Sequence, residues 1–162
     1  EDLTPLFFNF RSVYRATESL IDGNVKDWHL TVRIKRNGKE EPLIKKGIAK
    51  HTILSTHFPI WIHRHVGELQ PGKTKSFSAI LEDNLELNYS ANVGRVTLEK
   101  PDEFAIRNGS KRISVQFQNQ KSTWWVDPIG TARRIEMPTQ GTVVERVDEK
   151  EARAFLKNPG KE

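Results

Sequence analysis

One stretch of the sequence matches a phosphate-binding pattern. Residues 67–74, GELQPGKT, satisfy G-x-x-x-x-G-K-[ST], the loop in which backbone N–H groups and a lysine hold the phosphates of a nucleotide. A working loop of this kind follows a buried strand and opens a helix. Here Phe77, Ala79 and Leu81 alternate after Thr74, which predicts a strand where the helix is needed. A P-loop nucleotide-binding protein is therefore the weakest of three functional interpretations.

Histidines are the second candidate for chemistry. Four of the five, His51, His57, His63 and His65, lie within fifteen residues. On a strand His63 and His65 would share a face and could ligate a metal, but on a helix residues two apart point about 200° away from each other. The segment has helical spacing, so no metal site is predicted.

Side chains for catalysis have no recognisable arrangement. The sequence contains no cysteine, which excludes disulfides, thiolate metal sites and a cysteine nucleophile. It also lacks a G-x-S-x-G serine elbow. Asp127 and Glu136 could meet across a β meander, but acids on neighbouring strands are usually surface residues. No catalytic residue and no cofactor is predicted, and the chain is interpreted as non-enzymatic.

Large apolar side chains suggest a different activity, the binding of an apolar ligand. Aromatic residues on strands are most often part of the core, and we expect this for most of those in this chain. Some could instead line a ligand cavity. The predicted ligand-binding residues are Trp28, Trp61, Ile62, Phe77, Tyr89, Phe117 and Trp125.

The elements that must position these residues are mainly strands. Residues 6–20 suit a strand through Phe8, Phe10 and Tyr14, without excluding a helix, and a turn is predicted at 22–24. Residues 28–36 alternate cleanly as a half-buried strand, with Trp28 on its apolar face. Asn37-Gly38 predicts a type I′ hairpin turn, and the return strand should cover 42–50.

A short helix is predicted between His57 and Leu69. Apolar residues recur there at steps of three and four, and Pro59 is tolerated in the first turn of a helix. Gly67 is placed where a left-handed residue would end it. The Trp and Phe face of this helix should pack into the concave side of the sheet.

Further strands follow the helix. A turn at 71–72 precedes a hairpin formed by strands through Phe77–Leu81 and Leu85–Val93, joined at Asp83-Asn84. Later strands are predicted around Val96 and Leu98, around Phe104 and Ile106, and, after a second Asn-Gly turn at Asn108-Gly109, from Ile113 to Phe117.

Residues 122–147 predict a strand-turn-strand-turn-strand meander. Pro128 with Gly130, and Pro138 with Gly141, break its apolar runs. Trp124 and Trp125 must lie on opposite faces of one strand, so at most one reaches the inner surface. Asp148 should then cap a C-terminal helix. The apolar face of this helix should consist of Ala152, Phe155 and Leu156. The helix should end at Asn158-Pro159-Gly160.

Composition suits one domain with much solvated surface. The chain has 162 residues, of which 36% are apolar and 29% charged, and residues 1–5 and 158–162 are expected to be tails. The net charge of +5 comes from scattered lysines and arginines. That pattern permits weak peripheral contact with anionic membranes but shows no nucleic-acid stripe. The predicted fold is a mainly β, curved antiparallel sheet wrapping a short internal helix, with a short C-terminal helix.

Three motifs carry a family resemblance over residues 60–156. They are an L-x-P-G turn (Leu69 to Gly72), the block WVDPIGTARRIEMP (Trp125 to Pro138), and an E-x-x-A helix start (Glu149 to Ala152). In these the chain resembles exported bacterial domains of unknown function that are similar to the LolA/LolB lipoprotein carriers. The resemblance implies a half-barrel, β-clam type of sheet that holds acyl chains.

The functional expectation combines the resemblance with the pattern of strands. It is a periplasmic or outer-membrane-associated domain that binds a lipid or acyl ligand on the concave face, plugged by residues 57–66. The chain begins at Glu1 rather than Met, which fits removal of an export leader. The second interpretation is a structural or protein-interaction module of the cell envelope that pairs a partner at its sheet edges.

Overall fold

The computed structural model of the protein describes residues 3–82 and 92–157, with side chains as far as residue 154. Within these ranges the fold is mainly β with short helices, as predicted. Several predicted features lie outside the described residues: the turn at Asp83-Asn84, most of the strand from Leu85, the site residue Tyr89, the side chains of Phe155 and Leu156, and the stop at Asn158-Pro159-Gly160.

The strands form two sheets rather than the one that was predicted. The first sheet is antiparallel, with β1 to β4 in chain order and β5 also paired with β3. Its strands are β1 Phe7–Tyr14, β2 Thr17–Lys26, β3 His29–Arg36, β4 Lys39–Glu40 and β5 Ile44–Gly47. In β3 the alternation predicted from sequence is confirmed, since Leu30, Val32 and Ile34 are all buried.

In the described ranges, the second sheet has seven strands in the order β12-β11-β10-β9-β8-β7-β6. All its pairs are antiparallel except β6 with β7. Its strands are β6 Ile53–Leu54, β7 Thr74–Ile80, β8 Val93–Leu98, β9 Lys111–Phe117, β10 Gln120–Val126, β11 Ala132–Met137 and β12 Thr142–Glu145. Strands β10 to β12 confirm the predicted meander, and a bulge shifts the register between Trp125 and Val126.

Three helices accompany the sheets. Helix α1, Phe58–His65, is flanked by turns of 3₁₀ helix at Ser55–His57 and Val66–Glu68, and it confirms the predicted internal helix. Helix α3, Glu149–Lys157, is capped by Asp148, whose carboxylate accepts the Glu151 N–H at 2.8 Å, as predicted. Helix α2, Glu103–Asn108, was not predicted.

Helix α2 replaces a predicted strand. The Asp102 carboxylate accepts the Ala105 N–H at 2.8 Å, which satisfies one of the free donors of the first turn. Gly109 ends the helix with φ 58°. The second Asn-Gly pair is therefore a helix end and not a hairpin turn.

Two other glycines were also misinterpreted. Gly23 lies inside β2 opposite Phe8, so the predicted turn at 22–24 is wrong. The turns that bound β2 are at residues 15–16 and 27–28 instead. Gly67 lies inside the 3₁₀ turn with no positive φ, so it does not end α1.

Buried side chains form two cores. The larger core lies between α1 and the second sheet, and the smaller core lies on one face of the first sheet. The larger core contains Ile53, Phe58, Trp61, Ile62, Val66, Leu69, Phe77, Ala79, Val96, Ile113, Val115 and Val126. The smaller core contains Phe8, Ile21, Val25, Leu30, Val32, Ile34, Leu54 and Ile80. Full burial of one such side chain contributes about 1.5–3 kcal/mol.

A two-residue strand joins the cores. β6 pairs with the end of β7, with Ile53 opposite Ala79 and Leu54 opposite Ile80. Because consecutive strand residues point to opposite faces, one pair lies in the larger core and the other in the smaller.

Residues 3–5, which the sequence predicts to be part of a tail, lie against the fold. Leu3 packs against the larger core and Pro5 is buried.

Candidate ligand-binding site

Aromatic rings from α1 and the second sheet meet in one cluster. Phe77 on β7 lies at its centre, with ring centroids 4.6 Å from Phe58, 5.3 Å from Trp61 and 5.4 Å from Phe117. Trp124 on β10 makes an edge contact with Phe58 at 5.1 Å. Centroid separations of about 4.5–7 Å with tilted planes are favourable for aromatic pairs.

The position of Phe77 depends on a glycine of the neighbouring strand. Gly94 lies opposite Phe77 in the β7–β8 ladder. A Cβ on Gly94 would lie 2.1 Å from Phe77 Cζ, so only glycine lets the ring lie against the backbone there.

Helix α1 is held at its start by a buried carboxylate. Glu82, 5% exposed, accepts hydrogen bonds from the backbone N–H and the hydroxyl of both Ser55 and Thr56. These residues form the 3₁₀ turn that leads into α1, so Glu82 ties the end of β7 to the helix.

Two further contacts fix the rest of α1. Gly130, with φ 89°, comes so close to the helix backbone that a Cβ would lie 2.5 Å from His63 Cα. The Asp127 carboxylate shapes this turn by accepting the N–H groups of Ile129 and Thr131. At the helix end, Lys111 Nζ donates to the Val66 carbonyl at 3.0 Å.

Two hollows lined by described residues border the aromatic cluster. The apolar hollow, about 380 Å³, lies between α1 and strands β7, β9 and β10. Its apolar lining consists of Phe58, Phe77, Ala79, Leu81, Val115, Phe117, Trp124 and Met137. Its polar lining consists of Ser55, Gln118, Gln120, Lys121, Ser122 and Gln140.

The basic hollow, about 550 Å³, also borders Phe77. Its apolar lining consists of Leu3, Ile53, Trp61, Phe77 and Val93. Its polar lining consists of Lys50, His51, Arg64, His65, Glu68, Lys75, Ser76 and Ser78. Glu68 forms an ion pair with Lys75, and this hydrogen bond, with the charge of the ammonium group, lowers the pKa of the Glu68 carboxyl.

The structure brings together three of the predicted site residues. Phe77 and Phe117 line the apolar hollow, and Phe77 and Trp61 line the basic hollow. Ile62 belongs to the same core but is 0% exposed, so it supports the cluster from beneath and cannot touch a ligand without a rearrangement.

Trp28 and Trp125 lie elsewhere. Trp28 is in the β2–β3 turn with φ 61°, where it is 36% exposed, because the strand begins one residue later than predicted. Trp125 is 4% exposed on the other face of β10, and its Nε1–H donates to the Asp102 carboxylate at 3.0 Å. Its ring lies against Phe104 of α2, with centroids 5.6 Å apart.

Trp125 is the predicted site residue, whereas Trp124 is the tryptophan that faces α1 and lines the apolar hollow. Alternation placed Trp124 and Trp125 on opposite faces correctly, but α2, which covers Trp125, was not foreseen. Phe58 was recognised only as a helix residue, and Met137 was not considered. The helical spacing of Phe58 with Trp61 was the signal that could have placed Phe58 at the site.

The other candidate chemistry is not assembled. The segment after Thr74 is β7, so residues 67–74 do not open a helix. Among residues 3–82 and 92–157, no three His, Cys, Asp or Glu side chains are grouped closely enough to hold a metal ion. Asp127 shapes its own turn, while Glu136 pairs with Arg134 at 2.6 Å.

Comparisons with protein-family models, curated proteins and solved structures return no match to this chain. In the part of the chain that the structure describes, no helix is long and apolar enough to cross a membrane.

Proposed function

We propose that the protein binds a lipid-like or other apolar ligand in the apolar hollow and catalyses no reaction. The observation that supports this most is the floor of the hollow, where the rings of Phe58, Phe77, Phe117 and Trp124 face one open volume of about 380 Å³. Ligand pockets in proteins commonly measure about 300–1,000 Å³ and have apolar floors with a few polar groups.

The polar groups of the apolar hollow suit a mostly uncharged ligand. Three glutamines and two serines line it, and Lys121 is its only charged residue among those described. A rim of this kind can hydrogen-bond an ester or amide while the floor holds an acyl chain. We further propose a periplasmic or outer-membrane-associated location and an acyl ligand, on the basis of the sequence motifs shared with exported domains that are similar to the LolA/LolB carriers.

A neutral probe tests the apolar hollow directly. We expect N-phenyl-1-naphthylamine, an uncharged apolar dye, to increase its fluorescence on binding. Met137→Trp should fill part of the hollow and weaken binding at least about tenfold, or about 1.4 kcal/mol. Ile129→Trp is the matched control, since Ile129 is 62% exposed in a turn and lines neither hollow.

Two outcomes would contradict the proposal. One is the absence of dye binding by the wild-type protein together with no lipid in solvent extracts of the purified protein. The other is equal binding by the Met137→Trp variant, the control and the wild type. Circular dichroism and thermal unfolding of both variants show whether the fold is retained.

A second candidate function is a protein-interaction module of the cell envelope. β1 is eight residues long and pairs only with β2 among the described strands. Phe7, Val13 and Tyr14 on it are 70%, 66% and 68% exposed. An edge of this kind can add a strand from a partner. A photo-crosslinking residue placed at Val13 should form a covalent product with a partner protein in the native cells, whereas one placed at Arg33, the control, should not. The absence of a product at Val13 would contradict this candidate.

A further inference from the structure

The basic hollow differs from the apolar hollow in charge although both border Phe77. Lys50, Arg64 and Lys75 bring three positive charges to it, and Glu68 brings one negative charge. Counted over the described residues of the lining, with histidine taken as uncharged, the formal charge is therefore +2. Among the described residues, the lining of the apolar hollow contains one cation and no acid.

The three cations come from separate parts of the chain. Lys50 precedes β6, Arg64 lies on α1 and Lys75 lies on β7. Their convergence on one concave surface concentrates positive potential there, and a concave, partly apolar wall strengthens that potential for a bound anion.

The floor beneath these charges is apolar and fixed. Trp61 is 6% exposed and Phe77 is 7% exposed, and both residues line the hollow. The His65 ring stacks on Trp61 with centroids 4.3 Å apart, and its Nδ1–H donates to the Trp61 carbonyl at 2.7 Å. A ligand therefore meets rings that do not have to be ordered on binding, which lowers the entropy cost.

Hydroxyl groups complete the polar part of the hollow. Ser76 and Ser78 lie on β7, on either side of Phe77 in sequence, and both line the hollow. Serine hydroxyls can donate to anionic oxygens, as the lysines and the arginine can. Positive charge and hydroxyl donors thus lie beside an aromatic floor.

We propose that the basic hollow is a second binding site, which takes an anionic amphiphile. The apolar part of the ligand lies on Trp61 and Phe77, and its carboxylate or phosphate end lies among Lys50, Arg64 and Lys75. This site is separate from the apolar hollow and does not depend on the function proposed for it.

A set of ten-carbon probes separates the contribution of charge from that of the chain. In the Met137→Trp variant, whose apolar hollow is partly filled, decanoate and decyl phosphate should bind at least about tenfold more tightly than decanol in calorimetry at low salt, a difference of about 1.4 kcal/mol. Decyltrimethylammonium should bind more weakly than decanol. Inorganic phosphate tests whether the anionic end alone is sufficient, and we expect it to bind far more weakly than decyl phosphate.

Charge-reversal variants locate the site. Lys50→Glu with Arg64→Glu should weaken decanoate binding at least about tenfold, which corresponds to about 1.4 kcal/mol. Arg33→Glu with Lys35→Glu makes the same change in net charge on an exposed face of the first sheet, and it should have little effect. Glu68→Gln should instead tighten binding, because it removes the acid that pairs with Lys75.

Several outcomes would overturn this proposal. They are equal affinities for decanoate and decanol, equal affinities for inorganic phosphate and decyl phosphate, or equal losses in the two double variants. The Met137→Trp variant distinguishes the two hollows, since it should weaken binding of the neutral dye and leave decanoate binding unchanged. Loss of both ligands in that variant would show that they share one site and would contradict a separate basic hollow.

Discussion

The two sheets contain the same local contact in different surroundings. In the first sheet Phe8 lies on Gly23 of the neighbouring strand, and in the second Phe77 lies on Gly94. In both places a Cβ on the glycine would come within 2.1 Å of a ring carbon. A phenylalanine over a cross-strand glycine covers the bare backbone and favours one register.

The two phenylalanine rings differ in the side chains that surround them. Phe8 shares its core with aliphatic side chains. Phe77 is surrounded by the rings of Phe58, Trp61 and Phe117, two of which come from α1. The glycine contact is thus common to both sheets, whereas the aromatic cluster that borders the two hollows is found only where α1 covers the second sheet.

Of the changes considered, the removal of the Phe77 ring or of the Phe8 ring should lower stability most. Phe77→Ala is expected to lower the free energy of unfolding by about 3–5 kcal/mol, towards the upper end because three rings lose a partner. Phe8→Ala should cost less, and it should leave dye and decanoate binding unchanged. Urea unfolding and ligand titration of both variants measure the difference. If Phe77→Ala and Phe8→Ala lowered stability equally and weakened ligand binding equally, the distinction between the larger and the smaller core would be contradicted.

Adding a methyl group at the glycines should have an intermediate effect. Gly94→Ala and Gly23→Ala should each cost about 1–3 kcal/mol, since the ring must move out of a packed position. Gly94→Ala should also weaken dye binding, because the displaced Phe77 ring enters a hollow. Gly47→Ala is the control, since a Cβ there meets nothing within 4 Å. A cost at Gly47 as large as that at Gly94 would refute a role for the ring.

The smallest loss of stability should follow substitution of Asp102, on the outer face of the second sheet. Burial alone would raise the pKa of this carboxyl, but hydrogen bonds from Ala105 and Trp125 and the charge of Arg112 outweigh it, so that the pKa is lowered. A carboxyl whose pKa is lower in the folded state stabilises the fold above its unfolded pKa, near pH 4, and this contribution is lost as the pH falls through the folded pKa.

Asp102→Asn should therefore cost at most about 1 kcal/mol at pH 7, because the carboxylate is part of a partly exposed ion pair. The difference from wild type should shrink as the pH falls below about 4. Denaturant unfolding at several pH values measures it. Asparagine retains the ability to cap α2, which keeps the helix intact. A difference that is constant with pH would show that the charge of Asp102 contributes nothing.

The sequence was sufficient for much of the strand pattern, because alternation and turn residues act locally. Asn37-Gly38 forms the predicted hairpin turn with φ 45° and 81°. The same dipeptide at residues 108–109 ends a helix, because Asp102 provides a cap seven residues before Gly109. A dipeptide alone does not distinguish these outcomes, whereas the surrounding residues do.

The site was harder to predict than the fold. The sequence predicts a turn at Gly23 because the residue that requires a glycine there, Phe8, lies on another strand. Alternation separated Trp124 from Trp125 but could not say which face α1 would cover. Both hollows depend on where α1 lies on the sheet. That position is set by Glu82, by Gly130 and by Lys111, none of which has a sequence pattern of its own.

The two-residue strand β6 couples the position of α1 to the packing of the first sheet. Leu54, which packs in the smaller core, is only a few residues before the first turn of α1. A shift of β6 by one residue along β7 would move the side chains of Ile53 and Leu54 to opposite faces of the sheet. Each side chain would then point towards the other core. Helix and strand must therefore keep a common register, and any movement of α1 along its own axis would pull directly on the packing of the first sheet.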